Sequence, residues 1–161
     1  MSNYSAGVLL YTRQEGNIKF LLGRDSKYNT WSDFGGKNES IDKFCRYKTA
    51  AREFFEESCG VIYDKVKINA ILKDTIPYHC LSYTHNDYFM YLVYIDYDKD
   101  IIDYFKTIRH LILQRSELSF KYLEKDCLDW FDFDYIVNHE SDFRCVFYKS
   151  LLKHIKDIQN A

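Results

Sequence analysis

Residues 44–57 constrain the chain most, because two surfaces of opposite character are written into one stretch of helical period. Phe44, Tyr47, Ala51 and Phe54 recur at i, i+3, i+7 and i+10 and form an apolar edge. At about 100° per residue, Glu53 and Glu57 project within about 40° of each other, and Glu56 lies about 60° to the other side of Glu53. Such a helix presses its apolar edge on a sheet and gathers three acids on the opposite side.

Like charges one turn apart repel by a few tenths of a kcal/mol per pair, so something must offset them. A divalent cation such as Mg²⁺ does this with hard oxygen ligands, water and the phosphates of a substrate. Glu53 and Glu57 are the first candidates for ligands, with Glu56 third, and the three are expected to meet at one point. The competing reading is a solvated acidic face on which Arg52 pairs with Glu56 at i+4. Upstream, residues 31–37 read as a strand ending in Gly35 and Gly36, where a turn can aim a backbone carbonyl at an ion. Downstream, Gly60 supplies a left-handed helix end.

These residues resemble the box of the Nudix hydrolase family, G-x5-E-x7-R-E-U-x-E-E-x-G-U, with U a bulky aliphatic residue. Gly36, Arg52, Glu53, Glu56 and Glu57 match letter for letter, and Phe54 stands at U. Asp42 replaces the early glutamate, the following gap has nine residues in place of seven, and Ser58 and Cys59 precede Gly60 where the box has one residue. The two-residue insertion is expected to lengthen a loop or the first helical turn, and it leaves the role of Asp42 open.

The resemblance implies an α/β/α sandwich on a mixed sheet. It further implies hydrolysis, at phosphorus, of a nucleoside diphosphate linked to another group, with Mg²⁺ or Mn²⁺ as cofactor. On that reading the metal set is Glu53, Glu56, Glu57 and Gly36. Glu53, Arg52 and Glu57 are the catalytic residues, with Glu53 the first choice of general base and Arg52 an orienting residue. Glu117 and Glu124 are the alternative bases, each with the plainer reading of an ordinary surface acid. Arg24 and Lys37 are candidate phosphate contacts and Trp31 a candidate base-stacking residue. Against these stand the plainer readings of solvated loop cations and a core tryptophan.

The remaining pattern is that of one α/β domain over residues 1–161. Strands are expected at 5–12 and 18–23 around a turn at Glu15, Gly16 and Asn17, then at 66–73, 78–83, 87–96 and 125–135. The acidic helix is expected over about 43–58. A second helix, capped by Asp98 or Asp100 and running to about Gln114, places Ile101, Phe105, Ile108 and Ile112 inward, an extra helix inserted before the last strands. A closing helix over 142–159 packs through Phe143, Phe147, Leu151, Ile155 and Ile158.

With 47% hydrophobic residues, 161 residues suffice for one real core. The longest apolar run, 88–95, is far short of the ~20 residues that cross a bilayer. The start Met1-Ser2-Asn3-Tyr4 lacks a signal peptide's character, so an intracellular location is expected. Five widely spaced cysteines form no Cys-x-x-Cys and read as buried thiols, although His79, Cys80 and His85 lie close enough in sequence to consider zinc. A net charge of -2 gives no general pull toward nucleic acid.

The expected partner is therefore a nucleotide or another small diphosphate. Two alternatives are an mRNA-decapping enzyme, for which Lys149, Lys153 and Lys156 would supply an RNA path, and a non-catalytic binding protein of the same fold. Oligomeric state is open, a homodimer being the commonest assembly.

Overall fold

Glu15 (φ 52) and Gly16 (φ 84) take left-handed backbone in succession, as a two-residue type I′ turn requires, and close β1 (Tyr4–Gln14) on β2 (Asn17–Asp25). The computed structural model of the protein describes residues 3–81, 86–115, 117 and 120–160. The pairing of β1 with β2 holds only from the turn to Leu10 and Leu21. Beyond it a broken strand fills the opening: β3 (Trp31–Ser32) pairs with Gly23 and Arg24 of β2, and β4 (Phe34–Lys37) pairs with Ser5 to Val8 of β1. Asp33 lies at the break.

β6 (Asp87–Tyr94) runs parallel to β1 on its other side, with β5 (Tyr78–Leu81) antiparallel beyond it. β7 (Lys125–Asp132) pairs antiparallel with β2 and completes a mixed seven-stranded sheet. On one face α1 (Arg46–Glu57), α2 (Lys65–Lys73) and α3 (Ile101–Leu113) bury Ala50, Phe54, Ile68, Leu72 and Phe105 against Ala6, Val8 and Leu10 of β1. On the other, α4 (Phe133–Asn138) and α5 (Cys145–Asn160) bury Ile136, Phe147 and Leu151 against Leu9, Phe20 and Met90. The molecule is an α/β/α sandwich. β6 contributes to both cores, as its apolar residues on both alternating faces led one to expect.

Four expectations need correction. Residues 65–73 are helical, because the Asp64 side chain accepts from the Lys67 N–H at 2.8 Å and so caps α2, and Ile68 and Leu72, one turn apart, carry its burial. The acidic helix begins at Arg46, and Phe44 lies before it, 54% exposed, so it has no part in the apolar edge. The last strand stops at Asp132 and the next residues form α4. In α3, Ile101 and Phe105 are buried but Ile108 is 38% exposed, so the second half packs less closely; among the described residues one strand, β7, follows it.

Candidate active site

The two residues by which the chain exceeds the box spacing are absorbed ahead of α1. Lys43 (φ 53) and Phe44 (φ 56) both adopt left-handed backbone, a conformation uncommon for a bulky residue, and fold the added length into a tight reversal after a short 3₁₀ turn, Ser40–Asp42. Asp42 is thereby carried back over the helix. At the far end the N–H of Gly60 donates to the Phe55 carbonyl at 3.0 Å and that of Cys59 to the Glu56 carbonyl at 3.2 Å, the paired bonds of a Schellman ending. Cys59 (φ 55) holds the left-handed position where glycine is usual, and Gly60 (φ 66) follows it. Helix register is thus unbroken from Arg52 to Glu57.

Arg52 organises the acidic edge. Its Nε and Nη2 donate to the two Asp42 carboxylate oxygens at 3.0 Å each, a bidentate fork. Its Nη1 reaches Glu53 at 2.9 Å and Glu56 at 3.2 Å, and Nη2 also donates to the Lys37 carbonyl at 2.9 Å. Burial disfavours the Arg52 charge, but Asp42 and Glu53 more than compensate and hold its pKa above the ordinary value. Burial likewise disfavours ionised Asp42, yet bonds from Arg52, the Glu39 N–H and Thr49 keep its pKa low. Asp42 therefore has a defined place as the anchor of Arg52. The direction of its side chain could not be read from the sequence, where the longer gap obscured it.

Glu53 and Glu56 both reach one nitrogen, so both reach one point. Glu57 turns away from it. One of its oxygens accepts the Gly35 N–H at 2.7 Å and the other lies 3.7 Å from the Lys125 ammonium. Contrary to expectation, the three carboxylates do not meet: among the described residues no three His, Cys, Asp or Glu side chains are grouped to hold an ion. The physical reason is that Glu57 is buried and finds its compensation inside the protein. Burial raises the Glu57 pKa against the pull of Lys125, with Glu53 and Glu124 adding repulsion. Burial also pushes Glu53 up to about 7, Arg52 working against it and Glu56 and Glu124 with it.

The donor set nevertheless suits a hard divalent cation. Its groups are all oxygens, two of its carboxylates converge, and repulsion among the acids is only partly answered by Arg52. Gly36 also leaves a cradle: a Cβ there would lie 2.5 Å from the Glu53 carboxylate carbon. Glu53 thus packs directly on the Gly36 backbone.

The other candidates separate. Glu124 is exposed yet close enough to act electrostatically on Glu53 and Glu57, whereas no contact links Glu117 to them. Lys37 lies beside the acids and lines a cavity of about 280 Å³ across β4 from them, with Asp33, Tyr88, Arg144 and Phe147. Arg24 and Trp31 do not line it: Arg24 pairs with Asp126 at 2.8 Å and covers the Trp31 ring, which packs on Phe131. Lys149, Lys153 and Lys156 are exposed along α5. Of the possible zinc group, His79 pairs with Asp87 at 2.8 Å, and His85 is outside the described residues. A larger cleft, about 880 Å³, lies by the β1–β2 turn and contains none of these residues.

No family model matches the chain, and no curated protein matches its sequence. Solved structures do match its fold over nearly the whole length. The Ap4A hydrolase of C. elegans aligns at a TM-score of 0.55 and 14% identity, covering 98% of this chain and 99% of its own. The NUDIX domain of Shewanella oneidensis NrtR, complexed with ADP ribose, aligns at 0.54 and 11% identity over 98% and 88%. The chain has the Nudix hydrolase fold. A third match to this fold is the C-terminal domain of mouse MUTYH, bound to human PCNA, at 0.56 and 13% identity over 100% and 92%. Nudix architecture alone therefore does not decide between catalysis and binding, and the side chains of the site must.

Proposed function

We propose that the chain is a Nudix hydrolase that cleaves a diphosphate linkage in a nucleoside diphosphate joined to another group, with Mg²⁺ or Mn²⁺ as cofactor. One observation carries this reading: Arg52, Glu53, Glu56 and Glu57 keep their box spacing on one helix, with Glu53 packed on Gly36 and Glu57 bonded to Gly35. Burial raises the pKa values of Glu53 and Glu57, with repulsion from neighbouring acids adding to it, and acids so perturbed cluster at catalytic sites.

Glu53, Glu56 and the Gly36 carbonyl would hold the ion, with Glu57 kept on the Gly35 N–H. Bound there, it would neutralise charge on the diphosphate oxygens and make a water more acidic. Glu53 takes the proton of the attacking water as general base. The new O–P bond forms as the bridging P–O bond breaks. Arg52 keeps the Glu53 carboxylate aimed, and Glu124 is the second acid at the mouth. The cavity across β4 would receive the group beyond the diphosphate, with Lys37 and Arg144 as its cations. The site lies on a protein in which no described helix is long and apolar enough to span a membrane.

The test is a panel of dNTPs, ADP-ribose, dinucleoside polyphosphates, diphosphoinositol phosphates and capped RNA, assayed with and without Mg²⁺ or Mn²⁺. Turnover of at least one substrate only with metal, lost in Glu53→Gln and Glu57→Gln, supports the proposal. Absence of turnover throughout, or full activity in both variants, refutes it.

A further inference from the structure

The cavity across β4 ends on a buried acid. Asp33, at the break between β3 and β4, is 6% exposed and lines it. Tyr88 holds that acid in place. From β6 the tyrosine crosses β1 at Gly7, where any Cβ would collide with its hydroxyl. It then passes Gly35, where a Cβ would lie 2.9 Å from that hydroxyl, and donates to Oδ2 of Asp33. Tyr88 thus lies along bare backbone as one wall of the cavity, and Val146 and Phe147 of α5 line it as well. Aromatic and apolar walls with a few placed polar groups suit a flat heterocycle.

Asp33 is incompletely satisfied. Besides Tyr88, only its own N–H supports the carboxylate among the described residues. Two carboxylate oxygens offer about four acceptor sites, so roughly half are left for a ligand. Lys125 and Arg144 act on its charge, but neither donates to it, the Lys125 ammonium being spent on the Ser32 hydroxyl at 2.7 Å. The other acid of the cavity, Asp87, is already engaged by His79 at 2.8 Å. A buried acid short of donors is costly, so a ligand N–H aimed at Asp33 is rewarded and a ligand oxygen there is rejected. Lys37 and Arg144 line the same cavity and are exposed, which sets positive charge at its mouth and the acid at its floor. That polarity matches a nucleotide entering base first.

We propose that Asp33, held by Tyr88, is the specificity-determining residue of this cavity and selects nucleobases that carry an exocyclic amine. An amine presents N–H donors to the acid; the analogue without it presents a C–H and leaves Asp33 unsatisfied. The inference rests on the reading above that the cavity receives the group beyond the diphosphate.

The test is calorimetric titration of the full chain, without metal, with AMP, GMP and CMP, each against the analogue lacking only its exocyclic amine. At least one amino nucleotide is expected to bind about 10-fold more tightly than its analogue. Asp33→Asn keeps the size and an oxygen for Tyr88 but loses the charge, and should erase that ratio. Tyr88→Phe leaves Asp33 unheld and should shrink it. A merely structural Asp33 would lower melting temperature and weaken every nucleotide alike with the ratio unchanged, which would overturn the inference. Equal binding within each pair by the wild type, or no binding, would overturn it too. If Asp33→Asn fails to fold, the wild-type ratio and Tyr88→Phe decide. Turnover without an amine preference removes this inference alone, whereas an amine preference without turnover leaves it standing and removes the hydrolase reading.

Discussion

Arg52 spends five hydrogen bonds on Asp42, Glu53, Glu56 and the Lys37 carbonyl, and no other side chain can make that set. Lysine keeps the charge but loses the planar fork, so Arg52→Lys is expected to lower kcat by about 10–100-fold, the usual cost of losing an orienting partner. The parallel readout is Mn²⁺ affinity, which should fall with it; unchanged affinity and activity would show that the fork is dispensable. Glu53→Gln removes the proposed base and should cost about 10²–10⁴-fold in kcat, measured at saturating metal. The approach of Arg52 to Glu56 was legible from spacing alone, because a helix turns i,i+4 spacing directly into a shared edge, whereas the turn of Glu57 toward Gly35 and Lys125 was not. Nor were the positions of Asp42 and Lys125. Asp42 is placed by left-handed backbone at Lys43 and Phe44, and Lys125, 3.7 Å from Glu57, by a bulge between Arg24 and Asp25 and by Gly23, beside which its stem passes; neither leaves a periodic mark.

The same contrast separates the elements. β1, β2, β6 and α5 have repeating apolar residues whose faces were readable, whereas the 65–73 segment has apolar residues at 66, 68, 71 and 72, a spacing that fits strand and helix about equally until the Asp64 cap decides it. The loop before α1 shows how an insertion is tolerated. The chain gives up favourable backbone at Lys43 and Phe44 and keeps the helix register, and with it the site. Lys43 is exposed, so its left-handed backbone is compensated by little else. Lys43→Gly is expected to stabilise the fold by about 1 kcal/mol, since a Cβ is costly in that region. In a domain of this size that is roughly 2–4 °C in Tm. Calorimetry checks it, and a lower Tm would mean that the loop is not strained there.

At the scale of the molecule, the acidic site is a local cost that the rest of the fold sustains, and its size depends on pH. Glu53 has an ordinary pKa of 4.5 when unfolded and one of about 7 when folded. Below pH 4.5 both states hold the proton and the group's contribution is at its most favourable; as pH rises toward 7 the unfolded chain releases the proton first, and stability falls. Buried Glu57, also shifted upward, extends the loss in the same direction. Carboxylates elsewhere that are held low, such as Asp42, act oppositely but do so at lower pH, so the window between about 5 and 7 belongs to the active-site acids. Without metal, Tm is therefore expected to decline across that window. Mg²⁺ binds the ionised form, so its stabilisation should grow with pH; at about 100 times its Kd it amounts to roughly 2.7 kcal/mol, or on the order of 5–10 °C. Glu53→Gln cannot titrate and should flatten the decline while shrinking the Mg²⁺ shift at pH 8. Scanning calorimetry of both proteins at pH 5 and pH 8, with and without Mg²⁺, distinguishes this linkage from general salt stabilisation, which would raise all four melting temperatures alike.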